Sequence, residues 1–420
     1  MAYMAPHNPA PLVPESPLVR TSIWFLFIAI SCLFFADIEI TTKDPWPEMK
    51  RLGAGLITPD FTKWEQILEA LLYTICFAIL GVTLANITGF LLAIVFHYRI
   101  VGIGCAFIRA VHELFWALIF LQIFGLTAVT GVLAIAIPYA GICAKVYAEI
   151  LEEADPSPLQ AVPNGTSVIS LFFFARLPGV WAHFKTYSLY RLECGLRSSA
   201  VLGFIGLPTI GFYLETAYKE GHYSDLSALL LVFYVVISTI RKWMRSELIP
   251  VYIIAAFFLL PESGPMSWSN AWRFFTNDIM PLPIRTADAT SVPVLIETWY
   301  WFQNLFVSEA LPGIFNTVIL TMIALTSTGL LTLLFFPLIS PMFFHPFGRT
   351  MGHIFLVVVR STPEYVLAFI LLQLWGPSMF PAVVALSLHN AGIIGHLIGR
   401  FTEQLQLRLD SPRGVNLYLF

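Results

Sequence analysis

Charge is scarce in this chain of 420 residues, since Asp, Glu, Lys and Arg together make up only 12% of it. Soluble globular domains carry about 25% of these residues. Hydrophobic residues reach 57%, and the mean hydropathy is +0.77. No soluble fold of this length could bury so much apolar surface, so the composition predicts an integral membrane protein.

Patterns that carry chemistry are also few. The five cysteines are scattered, with no CxxC pair and no metal-ligand spacing, which indicates small apolar side chains. No Gly-x-x-x-x-Gly-Lys-Ser/Thr string occurs, so ATP binding by this chain through a P-loop is excluded. No catalytic constellation or His/Glu metal cluster stands out, and a net charge of -3 gives no hint of a nucleic-acid partner. We expect a non-enzyme that binds no metal and no cofactor.

Apolar runs of about 20 residues, the length that crosses a bilayer, predict an all-α membrane bundle. A proline-rich tail is expected at 1–19, and polar, aromatic-rich extramembrane segments are expected at 38–65 and 262–311. The clear predicted spans are 20–37, 66–97, 106–125, 129–147, 225–240, 247–261, 312–338, 351–374 and 380–399.

A tenth span is predicted at 182–206, although this segment holds several charged residues. With a cytoplasmic N-terminus, omitting this crossing would place Arg241, Lys242 and Arg245 outside, against the positive-inside tendency. About ten spans, with the N-terminus in the cytoplasm, therefore fit the charge distribution best.

Three charged residues of this segment are candidates for the translocation path. A charge inside a span costs about 2.5–3.5 kcal/mol on insertion scales, so it is expected to be functional or paired. Glu193 and Arg197 have the favoured i,i+4 order of an acid before a base, whereas Arg191 lies on another face. Either Glu193 and Arg197 neutralise each other, or Arg191 or Arg197 lines a path for an anion.

The sequence also contains an internal repeat, because residues 109–153 align with 360–404 without a gap. Paired Arg, Glu, Gln and Gly residues at fixed spacing indicate duplication rather than chance between apolar helices. Both copies keep the same cytoplasmic side, so the repeat is parallel. The identical pairs are Arg109/Arg360, Glu113/Glu364, Ala117/Ala368, Leu121/Leu372, Gln122/Gln373, Gly125/Gly376, Ala134/Ala385, Ala140/Ala391, Gly141/Gly392, Ile142/Ile393 and Glu152/Glu403.

We place the first repeat at 20–246, with six spans, and the second at 247–420. The second copy ends within the equivalent of the loop at 149–181, so the chain is expected to be a fragment, a frameshifted product or a degenerate half. In each copy an Arg precedes a Glu by four residues at the cytoplasmic end of a span. We interpret the pairs Arg109–Glu113 and Arg360–Glu364 as structural latches rather than ligand sites.

The loop at 149–181 begins with acidic residues and continues through a predicted short helix, a glycine and a Leu-Pro pair. Asp155 suits the N-cap of that helix, with Pro156 at its first position. This order resembles the coupling loop of ABC-importer permeases, which docks into a groove on the ATP-hydrolysing subunit. The resemblance assigns coupling to Glu152, Glu153, Ala154, Asp155 and Gly165, although the family usually has Glu-Ala-Ala and then Gly.

The strings Tyr190-Arg191-Leu192-Glu193, Arg197-Ser198-Ser199 and Val201–Gly206 are similar to a signature of phosphonate-importer permeases. The second copy adds an Arg-x-x-Pro-Glu string that ends at Glu364, whereas the first copy has His112 in place of its proline. The resemblance covers 66–245 well and 312–410 in part. It implies a type I ABC-importer permease that moves phosphonate or a related phosphorus oxyanion by alternating access.

The resemblance further implies the partners and the location of the chain. The partners would be a pair of ATPase subunits, which hold ATP and Mg, and a periplasmic or lipid-anchored binding protein. Membrane lipid would surround the chain in the bacterial inner membrane. Two alternatives stay open: an ion-gradient-driven secondary transporter with parallel repeats, and a truncated relic that does not transport. The first predicts a mid-membrane titratable site in both copies, and only the first copy shows mid-membrane charge.

Overall fold

The computed structural model describes residues 17–404, apart from 43, 161, 164, 262–263, 265–266 and 288–290. Every regular element in this described part is a helix, so the predicted all-α class is confirmed. Most of the predicted tail at 1–19, and the predicted end of the second copy beyond Gln404, lie outside the described residues.

The α-helices are α1 (Pro17–Leu33), α2 (Trp46–Ile57), α3 (Trp64–Ile94), α4 (Arg99–Ala110), α5 (Glu113–Phe124), α6 (Ala128–Glu152), α7 (Ser157–Gln160), α8 (Val168–Ser170), α9 (Leu177–Val201), α10 (Ile210–Lys219), α11 (Tyr223–Trp243), α12 (Ile249–Phe258), α13 (Trp268–Arg273), α14 (Leu282–Thr286), α15 (Val292–Leu305), α16 (Leu311–Phe335), α17 (Pro346–Ser361), α18 (Glu364–Trp375) and α19 (Met379–Gln404). Leu171–Arg176, Phe274–Asp278 and Phe306–Ala310 are π-helical, and Leu202–Ile205, Ser246–Leu248 and Phe336–Ile339 are 3₁₀-helical.

The chain forms two compact units. The larger contains the described residues of 46–289 together with the short segment 361–366, where α17 ends and α18 begins. The smaller contains those of 1–45, 290–360 and 367–420. This division follows packing, whereas the predicted boundary between 246 and 247 follows sequence similarity, so the repeat boundary stays a prediction.

Helices α3, α6 and α9 form the core of the larger unit. Small residues on α3 are buried where it meets its neighbours, among them Ala70, Ala78 and Ala85. Small side chains let membrane helices approach closely, so dispersion contacts accumulate along the interface. The close packing of α3 against α6 and α9 gives the charged helix α9 a rigid support.

The smaller unit is built around α16 and α19. Buried Ile319, Ile323 and Val383 form one apolar cluster, with Cys32 of the α1 end packed against it. A second cluster joins Phe335 and Leu356 to the helix α19. These apolar contacts hold α1, α16, α17 and α19 together.

Two segments that were predicted as single spans are sharply bent. The chain bends by 91° between α4 and α5, and by 88° between α17 and α18. The predicted spans 106–125 and 351–374 therefore each contain a bend that the sequence did not predict, and whether each bent pair crosses the membrane as one span stays open. In the first copy α4 ends at Ala110, and the extended Val111 (φ -91°, ψ 124°) turns the chain before α5.

The number of spans is bounded by helix length and composition. Among the described residues, five helices are long and apolar enough to cross a membrane, or up to eight if each bent pair counts as one span. The predicted segment 182–206 belongs to such a bent pair, Leu171–Ile205 with Ile210–Lys219, at 55°. The apolar helices α1 and α12 are shorter than that criterion. Ten spans therefore stay a prediction.

The predicted extramembrane segment 262–311 is helical near its end. From Val292 to Ile339 the chain forms 48 residues of continuous helix. At 1.5 Å per residue this helix is about 72 Å long, more than twice the hydrocarbon thickness of a bilayer. Its length alone therefore requires part of this helix to lie outside the hydrocarbon. The sequence had not predicted that the helix would begin as early as Val292.

The same order of helices occurs in both predicted copies: a long apolar helix, a bent pair and another long helix. Gly125 and Gly376 end the second helix of each bent pair with φ of 75° and 90°. Each donates its backbone N–H to the carbonyl four residues earlier, Leu121 or Leu372, at 2.9 and 2.8 Å. The shapes agree with a duplication, and the duplication itself stays a prediction.

Candidate coupling loop and buried charge cluster

The loop after α6 is shorter than the predicted 149–181, because helices occupy both ends of that range. Helix α6 continues to Glu152, and an unbroken helical path runs from Val168 to Val201. Arg176 ties the two ends together: its Nε and Nη2 donate to the Leu151 carbonyl at 3.2 and 2.6 Å. These bonds satisfy a carbonyl that the end of α6 would otherwise leave unpaired.

An apolar cluster supports this loop from beneath. Tyr147, Ala148 and Leu151 of α6 pack with Val180 and Phe184 of α9. Ala154, a predicted coupling residue, is partly buried against the same cluster, as is Phe172 of the π-helical stretch. The loop is therefore fixed to the helix bundle at its base.

The short helix α7 begins at Ser157 rather than at the predicted Pro156, and Asp155 is hydrogen-bonded to this first helical residue. The Oδ1 of Asp155 accepts from the hydroxyl of Ser157 at 2.6 Å and from the Ser157 backbone N–H at 2.9 Å. The hydroxyl and then the backbone bond hold the pKa of this exposed carboxyl below its usual value of 3.8. Glu152 ends α6, and Glu153 follows it as the C-cap, with its N–H donating to the Glu149 carbonyl.

Gly165 lies in a tight turn at the tip of the loop. Its φ is +96°, a conformation that L side chains rarely adopt, and no other atom comes within 4 Å of a Cβ built there. The Thr166 hydroxyl and backbone N–H both donate to the Pro163 carbonyl across the turn. Beyond the turn, the helical stretch that follows the loop exposes two large apolar side chains, Ile169 (71%) and Phe174 (84%).

Arg191 lies among three aromatic rings in the middle of α9. Its guanidinium carbon is 5.2 Å from the ring centre of Tyr139, 5.3 Å from that of Tyr187 and 5.7 Å from that of Tyr190. Its Nε donates to the Tyr187 hydroxyl at 2.8 Å. In the part of the chain that the structure describes, no carboxylate is within ion-pair distance of Arg191. The rings stabilise the cation and leave its two terminal nitrogens as donors.

A linear hydrogen-bond chain connects this cluster to the first bent pair. The Ser198 hydroxyl donates to Glu113 Oε1 at 2.7 Å. The Tyr139 hydroxyl lies 2.8 Å from Ser198 Oγ, and it must be the donor because the Ser198 proton is engaged. Glu113 of α5 is thus connected to a wall of the Arg191 site through two hydroxyl groups.

The latch predicted for Arg109 and Glu113 rests on a wrong premise. The two residues are four apart but lie on different helices, α4 and α5, so they do not share a helix face. The described contacts of Glu113 are with Ser198 and with His112, whose Nε2 lies 3.8 Å from the carboxylate. In the second copy a similar break separates Arg360 on α17 from Glu364 on α18. A structural role for all four residues stays a prediction.

Arg197 has a more acidic environment than Arg191. Glu193 and Glu364 both interact with its guanidinium electrostatically, and its Nη2 donates to the Cys194 sulfur at 3.3 Å. Tyr365, at the start of α18 and within the larger unit, donates to the Arg197 carbonyl at 3.4 Å. Charge neutralisation therefore suits Arg197, and the two arginines of α9 differ in their availability to an anion.

Several polar residues of this region were not singled out in the sequence. Asn86 of α3 accepts from the Tyr147 hydroxyl at 2.9 Å, and that hydroxyl also lies 2.7 Å from Ser188 Oγ. A polar Asn inside an apolar span was a usable signal for this network. Tyr139 and Arg176 had no such signal, because their partners are far away in the sequence.

A scan against protein-family models gave no match. The chain is 27% identical over 234 residues to the phosphite transport system permease protein PtxC of Stutzerimonas stutzeri, covering 53% of this chain and 85% of that protein. It is 25% identical over 363 residues to the phosphate-import permease protein PhnE of Mycolicibacterium smegmatis, covering 79% of this chain and 66% of that protein.

A third relative decides the family. The cryptic phosphonate transport system permease protein PhnE2 of Escherichia coli K12 is 30% identical over 107 residues, which cover 25% of this chain and 88% of that protein. The chain belongs to the phosphonate-importer permease family. As a phosphonate-importer permease with several apolar helices, it is a multi-pass membrane protein. No group of three or more metal-ligating side chains occurs among its described residues.

Proposed function

We propose that this chain is the membrane-spanning subunit of an ATP-driven importer for phosphonate or a related small phosphorus oxyanion. The observation that carries the proposal is that a member of this family has a loop that is anchored at its base and followed by a helical stretch with exposed apolar side chains. The relatives named above are permeases of phosphite, phosphate and phosphonate systems, which gives the substrate class.

The anchored loop is the proposed coupling element. Its Arg176 clamp and apolar base make it a rigid projection, and the helical stretch that follows it presents the exposed apolar side chains of Ile169 and Phe174 to a partner. The partner is a pair of ATPase subunits, which hold ATP and Mg. Glu152, Glu153, Ala154, Asp155 and Gly165 shape the loop, and no cofactor is assigned to this chain.

Arg191 is the proposed anion contact on the path. A phosphorus oxyanion carries several acceptor oxygens, and an Arg fork donates to two of them at once. Arg197 is a weaker candidate, because Glu193 and Glu364 already act on it. Glu193 and Arg197 are therefore assigned to mutual neutralisation beside the path. A periplasmic or lipid-anchored binding protein delivers the substrate, and the N-terminus is cytoplasmic in the bacterial inner membrane.

The test is uptake of radiolabelled phosphite or a phosphonate by cells that express the whole system and lack other importers. Arg191→Gln should lower uptake about 10- to 100-fold, the worth of a charge-assisted hydrogen bond. Arg241→Gln, an exposed arginine at the end of α11, is the matched control and should leave uptake unchanged. Equal uptake by the wild type and Arg191→Gln would overturn the assignment of Arg191.

A second variant tests coupling. Gly165→Trp should keep the protein in the membrane but lower uptake per ATP hydrolysed, because the bulky residue strains a left-handed turn. If uptake instead followed a proton or sodium gradient and ignored ATP, the alternative of a secondary transporter would replace this proposal.

A further inference from the structure

A large cavity lies within the larger unit, between α3, α9 and the start of α12. Its volume is about 850 Å³, and it is lined mainly by apolar side chains such as Ile79, Val82, Phe184 and Leu192. Its polar lining from Asn86, Tyr147 and Ser188 forms the hydrogen-bond network described above. These three side chains are hydrogen-bonded to one another, so this part of the wall does not need a polar ligand to satisfy them.

The charge in this cavity has one sign. Lys185 is the charged residue among the described residues that line it, and no Asp or Glu is among them. Trp181 lies one helical turn before Lys185, also lines the cavity and is 59% exposed. Tryptophan and lysine side chains are the usual anchors at the level of lipid headgroups.

The cavity continues from Lys185 to Leu192 along α9, which is seven residues or about 10 Å. Its walls are helices that we assign to the membrane, where the surrounding solvent is lipid rather than water. In the predicted topology, this end of α9 faces the cytoplasm, next to the coupling loop. An apolar slot with a cation at its mouth matches a molecule with an apolar chain and an anionic head.

We propose that this cavity binds one anionic phospholipid of the bilayer. Its acyl chain lies between α3 and α9, and its phosphate headgroup lies against Lys185. The bound lipid fills the space beneath the helical arm that carries Phe173 and Leu177, so it supports the base of the coupling loop. The claim that the lipid supports the coupling loop rests on the proposed function. The claim that the cavity binds a lipid does not.

The experiment is native mass spectrometry of the purified full chain, reconstituted in vesicles of phosphatidylglycerol and phosphatidylcholine and then extracted with mild detergent. The wild type should retain phosphatidylglycerol in preference to phosphatidylcholine. Lys185→Gln should reduce this preference about five-fold, the effect of one basic residue near an anionic membrane surface. Ile87→Trp, at a cavity-lining position that is 56% exposed, should reduce retention of both lipids by filling the slot.

Lys242→Gln is the matched control, an exposed lysine at the end of α11 that does not line the cavity. It should retain lipid as the wild type does, and each variant should elute as one symmetrical gel-filtration peak. Equal retention of the two lipids by the wild type would overturn the proposal. So would an equal loss in Lys242→Gln and Lys185→Gln, or full retention in Ile87→Trp. None of these readouts uses uptake or ATP, so a failure here is distinct from a failure of the proposed function.

Discussion

The bent helix pairs of the two predicted copies have nearly the same shape, 91° and 88°, yet their corners are built from different residues. In the first copy His112 caps α5, its Nδ1 accepting from the Leu114 backbone N–H at 3.2 Å. Trp116 adds a bond to the Ile108 carbonyl across the corner. In the second copy Pro363 and Leu367 occupy the positions that align with His112 and Trp116. The shape therefore does not depend on the corner residue.

What the two copies share is a glycine on the following long helix. A Cβ on Gly141 would come 2.8 Å from the carbonyl oxygen of Cys105 on α4. A Cβ on Gly392 would come 2.9 Å from Val359 Cγ1 on α17. In each copy, close approach to a glycine on the next long helix holds the first helix of the bent pair, and the corner residue only completes the turn.

The largest effect should come from these two glycines. Gly141→Ala and Gly392→Ala should each destabilise the protein by about 1–3 kcal/mol, because the added methyl overlaps a neighbouring helix. Gly104→Ala and Gly329→Ala, where no atom lies within 4 Å of the new Cβ, should stabilise it by up to about 1 kcal/mol. Thermal unfolding in detergent measures all four. A destabilised Gly141→Ala beside an unaffected Gly392→Ala would break the equivalence of the copies.

The two aligned glutamates should differ in their partners. Glu113→Gln and Ser198→Ala should show a coupling energy of about 1 kcal/mol in a double-mutant cycle, since they share one charge-assisted hydrogen bond. Glu364→Gln with Ser198→Ala should be additive, because Glu364 acts on Arg197 instead. The coupling energies are calculated from the unfolding midpoints. A coupling energy of equal size in both cycles would mean that Glu113 and Glu364 interact with Ser198 to the same extent, against this prediction.

Sequence reasoning predicted the apolar helices well, because hydropathy over a span depends only on local composition. It could not predict the break between Arg109 and Glu113, whose spacing is also that of a continuous helix. The helix α4, which ends before the break, packs closely against Gly141, and that glycine is distant in the sequence. Of the cluster around Arg191, the signature pointed to Arg191 itself but not to Tyr139, which lies on another helix. The hydrogen bonding of Asp155 was predictable in kind because its partner Ser157 is two residues away, but the first residue of α7 was not predicted correctly.

The corner residue should matter less than the glycines. His112→Ala removes the side-chain acceptor from the start of α5 and should cost about 1 kcal/mol. His112→Pro should cost less, because the φ of His112 is -64° and Val111 is already extended. Thermal unfolding compares the two variants. A larger loss for the proline would show that the two corners are not interchangeable.

The smallest effect concerns Asp155, in the loop that is described only for the first copy. The pKa of Asp155 is lowered in the folded chain by its hydrogen bonds to Ser157. These bonds therefore stabilise the loop fully at pH values above 3.8, the usual pKa of an aspartate. That contribution is lost as the pH falls through the lower, folded value. Protease cleavage of the loop should therefore be constant from pH 7 to about 5 and rise in more acidic buffer. Asp155→Asn should remove this rise, and an unchanged acid response in that variant would contradict the assignment.

The π-helical stretch Leu171–Arg176 has a consequence for insertions and deletions in this loop. A π turn holds about one residue more than an α turn, and each residue of an α-helix rotates the chain by about 100°. Deleting one residue here would therefore restore regular α geometry and leave the direction of Ile169 about the axis of α9 almost unchanged, whereas deleting one residue from the regular part of α9 would rotate it by about 100°. The direction in which the chain presents Ile169 should thus survive a one-residue deletion within the π-helical stretch, but not one within α9.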